Sequence, residues 1–279
     1  MTMRKLLVSV LLAIAALWGV AAHAAEGVHM DPFPNERLKD LPSLQNGARL
    51  FSNYCLTCHS ASLMRWNRLR DIGLDDTQIK DFLILGTQKV GDVMTVAMRP
   101  ADAKTWFGKA PPDLSVISRA RTSFEYSGPD YLFTFLRGFY RDASTPTGWN
   151  NVASANIAMP HVLWERQGPR ETTIERVVHT EEGAARIETV YDENGAATTS
   201  TTPIAGHPEE TYDVSFKQAD AQRGRQFDSD VADLVAYLVF MTDPSAATRV
   251  RMGVWVLLFV GVFTFLAAWL NRTYWRDVH

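Results

Sequence analysis

The two cysteines of this 279-residue chain stand three residues apart and run straight into a histidine, as Cys55-Leu56-Thr57-Cys58-His59. C-x-x-C-H is the attachment pattern of covalent haem. On a helical turn, positions i, i+3 and i+4 share a face, so both sulfurs reach the two vinyl-derived carbons of one porphyrin while His59 reaches its iron. The predicted chemistry is a porphyrin locked by two thioethers, with the His59 imidazole as proximal ligand. Three other readings compete for the same residues. A redox-active dithiol requires a strand-helix surround that the flanking sequence lacks, zinc requires further ligands close by, and a plain disulfide has no use for His59.

The opposite face of the iron decides between electron transfer and small-molecule chemistry, because a thioether closes it whereas an open position invites oxygen or peroxide. The downstream sulfurs are Met64, Met94, Met98, Met159 and Met241. Met64 lies too near His59 to cross to the other haem face, and Met241 falls within an amphipathic stretch. Met159 stands in Asn156-Ile157-Ala158-Met159-Pro160, where Pro160 removes a backbone donor and favours an extended approach. Methionine is more often core filler than ligand, and His161 is a further candidate, so local sequence leaves this position open.

Helical elements must present these groups. Leu44, Ala48 and Phe51 share one face, with Ser43 as the expected N-cap, and this helix delivers Tyr54 and Cys55 to the haem edge. Residues Leu69 to Leu85 follow helical spacing until Gly86 and Gly91 break it. Met94 to Lys109 reads as irregular, with Trp106 and Phe107 either walling the haem or filling generic core. A further helix begins at Tyr131 after Gly128-Pro129. Residues 165–226 are charged and Thr-rich, alternate around Glu182-Gly183 and Asn194-Gly195, and predict a small antiparallel excursion. Val231, Leu234, Val235, Leu238 and Val239 then form an apolar stripe, capped by Asp228 or Ser229 and ended by Asp243-Pro244.

Two apolar segments set the compartment. Arg4 and Lys5 precede an apolar run from Leu6 to Ala22 and the small-x-small site Ala22-His23-Ala24, which predicts a cleaved export signal over residues 1–24. Met252 to Leu270 carries no charge and extends roughly 28 Å as a helix, enough to cross a bilayer core. The expected organisation is an exported domain over 25–248, a membrane span over 249–271 in contact with lipid, and a cytoplasmic tail over 272–279. The formal net charge is −3; removing Arg4 and Lys5 makes it −5, and setting aside the +3 carried from Arg249 onward leaves the exported domain near −8. Such a surface disfavours nucleic acid as a partner.

Several motifs fall in one order: Leu50-Phe51-Ser52-Asn53-Tyr54 before the haem signature, Ala110-Pro111-Pro112-Asp113-Leu114-Ser115, Arg119-Ala120-Arg121, Asp130-Tyr131-Leu132, Ile157-Ala158-Met159-Pro160, and a C-terminal anchor. In these the chain resembles cytochrome c1 of bacterial type, the haem subunit of ubiquinol-cytochrome c reductase. The resemblance implies one covalent haem c, Met159 as distal ligand, Pro111 packed on the haem, Arg119 paired with a propionate and Tyr126 near the site. It also implies a mainly α c-type cytochrome domain with a small β excursion and one C-terminal transmembrane helix, in which the last soluble helix packs across the one before the haem motif.

The partners implied are cytochrome b, a Rieske iron-sulfur protein as electron donor and a soluble cytochrome c as acceptor. The chain would then be no enzyme in isolation but the electron-transfer subunit of an oxidoreductase complex. A monohaem cytochrome serving another oxidase or dehydrogenase is the alternative, with a haem peroxidase or sensor behind it. Two departures stand out. There is no cysteine left for a disulfide around the distal loop, so Met159 is expected to be held by packing alone, and Asp71, Asp75, Asp76 and Asp81 are the nearest substitute for an acidic docking stretch unless they are a solvated helix face.

Overall fold

A computed structural model describes residues 28–180, 183–206 and 208–277. The expected export signal lies outside them. The chain divides into two compact units, the larger formed by Met30–Glu171, Tyr191–Ala196 and Lys217–His279, the smaller by Thr172–Val190 and Ala197–Phe216.

The larger unit is organised by two crossing helices. Leu41–Leu50 carries Pro42 in its first turn and buries Leu44 and Ala48, and a π-helical turn over Phe51–Cys55 extends it, with the Leu56 amide donating to the Phe51 carbonyl at 3.0 Å. Its cap is Asp40, not Ser43: the Asp40 carboxylate accepts from the Ser43 amide at 3.1 Å and from the Ser43 hydroxyl at 2.6 Å. The second helix, Ala221–Thr242, buries Val231, Leu234, Val235 and Leu238 as the stripe requires. It starts well before Asp228, because Asp220 accepts from the amides of Gln222 and Arg223. The first two turns present only Gly224 and Phe227 to the interior, so the apolar stripe begins later than the helix does. The two helices meet at Gly47, where an added Cβ would stand 2.1 Å from the Asp233 carbonyl oxygen.

Around this crossing the remaining elements close the core. Residues expected to form one helix from Leu69 to Leu85 form a 3-10 helix over Trp66–Ile72 and an α-helix over Asp76–Phe82. Gly73, at φ +83°, ends the first, and an Asp75–Gln78 capping box starts the second. Strand β1, Ala61–Arg65, pairs antiparallel with β2, Val93–Met94. The stretch read as irregular thus begins on the last residue of β2 and contains a helix over Pro100–Phe107, started by Pro100 itself. Trp106 and Phe107 are exposed there and are not part of the core. Helix Gly128–Arg137 is capped by a Ser127–Asp130 box and leads into the β3–β4 hairpin, in which Phe139–Arg141 pairs with Trp149–Asn151.

The smaller unit is built on a four-stranded sheet of order β7-β6-β5-β8, from Arg170–Thr180 (β5), Gly183–Tyr191 (β6), Ala197–Ile204 (β7) and Thr211–Gln218 (β8). Ile174, Val177, Ala184 and Ala185 are buried within it. About 45% of the chain is helical, and both units carry strands. Past Thr242 the chain forms the helix Ala246–Tyr274, and within its span Thr248–Tyr274 an 18-residue window has mean hydropathy 2.3 and no buried side chains. At 1.5 Å per residue those 27 residues reach roughly 40 Å, long enough for a single-pass anchor.

Candidate haem-binding site

The helix and its π turn bring Cys55, Cys58 and His59 onto one face. The amides of Cys58 and His59 both donate to the Cys55 carbonyl, at 3.1 and 2.9 Å, so the turn continues through the histidine. Both thiols are free; Cys55 is buried and Cys58 half-buried. Burial, followed by the nearby Cys58, pushes the Cys55 thiol up to about 12, the opposite of what an attacking dithiol needs. Among the described residues no cluster of three His, Cys, Asp or Glu groups is arranged to hold a metal ion. The disulfide, dithiol and zinc readings all lose ground to thioether attachment.

His59 is oriented from outside its own helix. Its Nδ1 lies 2.8 Å from the Pro112 carbonyl oxygen, to which the Nδ1–H tautomer donates, leaving Nε2 to face a ligand. Burial lowers the pKa of the ring, opposed in part by that carbonyl and by Asp113, so the imidazole is neutral and able to bind a metal. The loop that supplies the carbonyl is itself pinned to the residues just after the haem motif. Asp113 accepts from the Ser62 amide and the Ser115 amide, both at 2.8 Å, the Leu63 amide donates to Ser115 Oγ at 3.0 Å, and the Leu114 amide donates to the Ser60 carbonyl at 2.8 Å. Burial alone would raise the Asp113 carboxyl, but the bonds from Ser115 and Ser62 hold it below the ordinary carboxylate range. The proline that touches the ligand is therefore Pro112, whose backbone does the work, while Pro111 is a half-buried neighbour.

The other candidates separate by burial. Met64, Met94 and Met241 are core residues, and the Tyr237 hydroxyl donates to the Met94 sulfur at 3.6 Å. Met98 and Met159 are half-buried and keep reachable thioethers. His161 is 2% exposed, stacked on Phe139 at 4.8 Å and flanked by Trp149, and its Nε2 has no hydrogen-bond partner. Desolvation, then the Arg170 and Arg141 charges, push it down to about 3, and a side-chain bond to Gln167 opposes them only in part.

The segment leading to Met159 is not held by packing alone, as the lack of a third cysteine suggested. Asn150, Asn151 and Asp142 are buried and joined in a polar network. Asn150 Oδ1 accepts from the amides of Asn151 and Asn156 at 2.9 and 2.8 Å, and Asn150 Nδ2 donates to Asp142 Oδ2 at 2.9 Å. Asn151 Nδ2 donates to the Phe135 carbonyl at 2.7 Å and its Oδ1 accepts from the Ala153 amide at 2.9 Å. Asn156, three residues before Met159, sits at φ +56°, a left-handed conformation that asparagine tolerates. The adjacent Asn pair was the only sequence signal for this brace.

Arg119 and Tyr126 are not brought to one point. Arg119 Nη2 pairs with Asp243 at 3.1 Å, beside the start of the anchor, although the side chain stays largely exposed. Two residues on, the Arg121 guanidinium lies 5.4 Å from the Tyr131 ring centroid, and Tyr126, Tyr131 and Phe135 form a stacked, half-buried aromatic wall at 5.7 and 5.8 Å. Arg121 and Tyr131 were within the motifs but not singled out by sequence. Of the acidic residues Asp71, Asp75, Asp76 and Asp81, Asp71 pairs with Arg68 at 2.8 Å, Asp76 pairs with Arg70 at 2.6 Å, and Asp75 caps a helix.

These residues fit a covalently held haem: free cysteines and a neutral histidine on one turn, the histidine oriented by a carbonyl, and thioethers left reachable elsewhere. The family model described as Cytochrome C1 family matches residues 35–179. The chain belongs to the cytochrome c1 family. A protein named cytochrome c1 from Allochromatium vinosum is 36% identical over 99% of this chain and all of its own length, and one from Rhodospirillum rubrum is 28% identical over 86% of this chain and 83% of its own. A Nitrosomonas europaea protein named ammonia monooxygenase gamma subunit is 40% identical over 96% of this chain and 97% of its own. Membership in the cytochrome c1 family brings one covalent haem c, electron transfer, and a place beside cytochrome b in the cytochrome bc1 complex, an oxidoreductase of which this chain is a subunit.

Proposed function

We propose that this chain takes single electrons from a Rieske iron-sulfur protein and passes them to a soluble cytochrome c on the periplasmic side of the inner membrane, its C-terminal tail in the cytoplasm. The observation that carries the reading is the 2.8 Å contact between His59 Nδ1 and the Pro112 carbonyl, which fixes the tautomer and dedicates Nε2 to the iron. Haem, when bound, supplies reversible one-electron chemistry at its iron.

The protein does the rest by holding. Cys55 and Cys58 form the thioethers. His59 and Met159 would hold the iron, Met159 being favoured over Met98 by its braced loop and its place in the family motif. Pro111 packs beside the porphyrin and Tyr126 extends the aromatic wall. A propionate needs a cation: Arg119 supplies it by family resemblance but shares its charge with Asp243, so Arg121, over Tyr131, is the better placed of the two. No side chain here transfers a substrate proton.

The test is the visible spectrum of the oxidised full-length protein beside Met159→Leu. The wild type is expected to be low-spin with a sulfur-to-iron charge-transfer band that the variant loses; a band retained in the variant excludes Met159. The name of the Nitrosomonas relative raises a second host, a monooxygenase complex, in which the same relay would operate. Copurification with cytochrome b and an iron-sulfur protein decides for the first.

A further inference from the structure

Beside the hairpin that braces the distal loop lies a cationic cavity that electron transfer leaves unused. It measures about 200 Å³, and its walls carry three guanidinium groups, those of Arg141, Arg170 and Arg223, against the single carboxylate of Glu193. Such a concentration of positive charge is unexpected in an exported domain whose formal charge is near −8.

Arg141 and Arg223 are fixed in place without a carboxylate spending their charge. The Arg141 guanidinium lies 4.1 Å over the Trp149 ring. Arg223 lies along Gly168, whose φ of +73° and missing Cβ leave room for it: a Cβ there would meet the Arg223 Cδ and Nε at 2.9 Å. Its nitrogens donate to the carbonyls of Glu165 and Arg166, which orient the group but do not neutralise it. Neither Arg141 nor Arg223 forms an ion pair among the described residues. Arg170 is 7% exposed and donates to the carbonyls of Arg137 and Phe139. Burial, then the neighbouring Arg137, push it down to about 9, so a nearby anion would be felt favourably. Guanidinium forks held in this way match the two oxygens of a carboxylate or phosphate, and the flanking Trp149 and Trp164 rings lower the local dielectric. The volume equals roughly seven waters at about 30 Å³ each, enough for phosphate or a short polycarboxylate.

We propose that this cavity is an oxyanion-binding site, in which Arg141 and Arg223 grip a phosphate or carboxylate group above Arg170, and Glu193 tempers the affinity. The phosphate could come from solution or from a lipid headgroup, and the two sources are separable.

The experiment is calorimetric titration of inorganic phosphate, and separately of citrate, into the full-length holoprotein in nanodiscs of zwitterionic lipid, in phosphate-free buffer at low salt. Saturable one-to-one binding is expected, weakened at least tenfold in Arg141→Gln/Arg223→Gln and tightened severalfold in Glu193→Gln. Opposite responses to the two charge changes cannot arise from misfolding, and an unaltered haem spectrum confirms each variant is intact. Repeating the titration in nanodiscs rich in phosphatidylglycerol assigns the source: heat abolished there means the headgroup holds the site, and heat retained means a soluble anion does. Absence of saturable heat in both lipids, or wild-type binding in the double arginine variant, overturns the proposal.

Discussion

Asn150→Ala is the most informative single substitution. Three bonds of the buried Asn150 side chain are lost: two accepted from the Asn151 and Asn156 amides at 2.9 and 2.8 Å, and one donated to Asp142 at 2.9 Å. A hydrogen bond contributes about 1 kcal/mol net, and a donor left unmade in the interior costs about 1–3 kcal/mol. Asp142 keeps its bonds from Ser144, at 3.0 and 2.6 Å, so its own loss is partial. A destabilisation of about 3 kcal/mol is therefore expected. The left-handed Asn156, no longer tied through its amide, is free to relax, and the approach of Met159 relaxes with it.

The assay is guanidinium denaturation of the oxidised holoprotein, read together with the sulfur-to-iron charge-transfer band. The band is expected to weaken at denaturant concentrations well below global unfolding, because the loop opens locally before the two-helix core does. Asn156→Gly is the control: it keeps the amide and removes the cost of positive φ, so it should leave stability unchanged or raised by up to about 1 kcal/mol. If Asn150→Ala shifts stability by less than about 0.5 kcal/mol with an unaltered band, the polar brace does not hold the distal loop and packing alone does.

Two further outcomes follow from the same geometry. Gly47→Ala on an exposed helix would stabilise by about 1 kcal/mol, but here the new Cβ would lie 2.1 Å from a backbone oxygen and 2.7 Å from Tyr237 Cβ, so a loss of about 3 kcal/mol or more is expected in thermal or denaturant melts; a gain would mean the helices do not cross at Gly47. Burial tends to raise the Asp142 carboxyl, but the bonds from Ser144 and Asn150 hold it below its ordinary value, so its contribution is complete above about pH 4 and is lost as pH falls through the lowered folded value. Asp142→Asn should accordingly cost about 2 kcal/mol at pH 7 and progressively less toward pH 3, and a stability difference that does not change with pH would refute the assignment.

What the sequence disclosed was whatever is encoded by spacing along one segment. Cys55, Cys58 and His59 declare their chemistry at i, i+3 and i+4, the stripe from Val231 to Val239 declares its buried face, and Met252 to Leu270 declares a span. Helix starts were less legible, because several residues near each start can cap: Asp40 competes with Ser43, and Asp220 with Asp228 and Ser229, and the backbone settles which carboxylate meets free amides. Gly73 hid a break inside good helical spacing, since only its positive φ distinguishes a terminator from a tolerated glycine. The site's supporting shell was least legible. His59 and Pro112 are 53 residues apart, and nothing local to Pro112 says that its carbonyl meets the histidine.

The absence of further cysteines ties these points together. With Cys55 and Cys58 both placed for thioether attachment, no covalent restraint is left for the loop that carries Met159 or for the loop that orients His59. Both are held instead by polar groups reaching backbone amides: the exposed Asp113 on the proximal side, the buried Asn150 and Asp142 on the distal side. Each brace includes a carboxylate held below its ordinary range by the bonds it accepts. A disulfide would make the distal loop answer to the redox state of its surroundings, whereas a carboxylate brace makes it answer to acid. The two sides of the proposed iron site therefore loosen under the same condition, and protonation is the perturbation that should release both axial positions together while the thioether-bearing turn, built on the Gly47 crossing, persists.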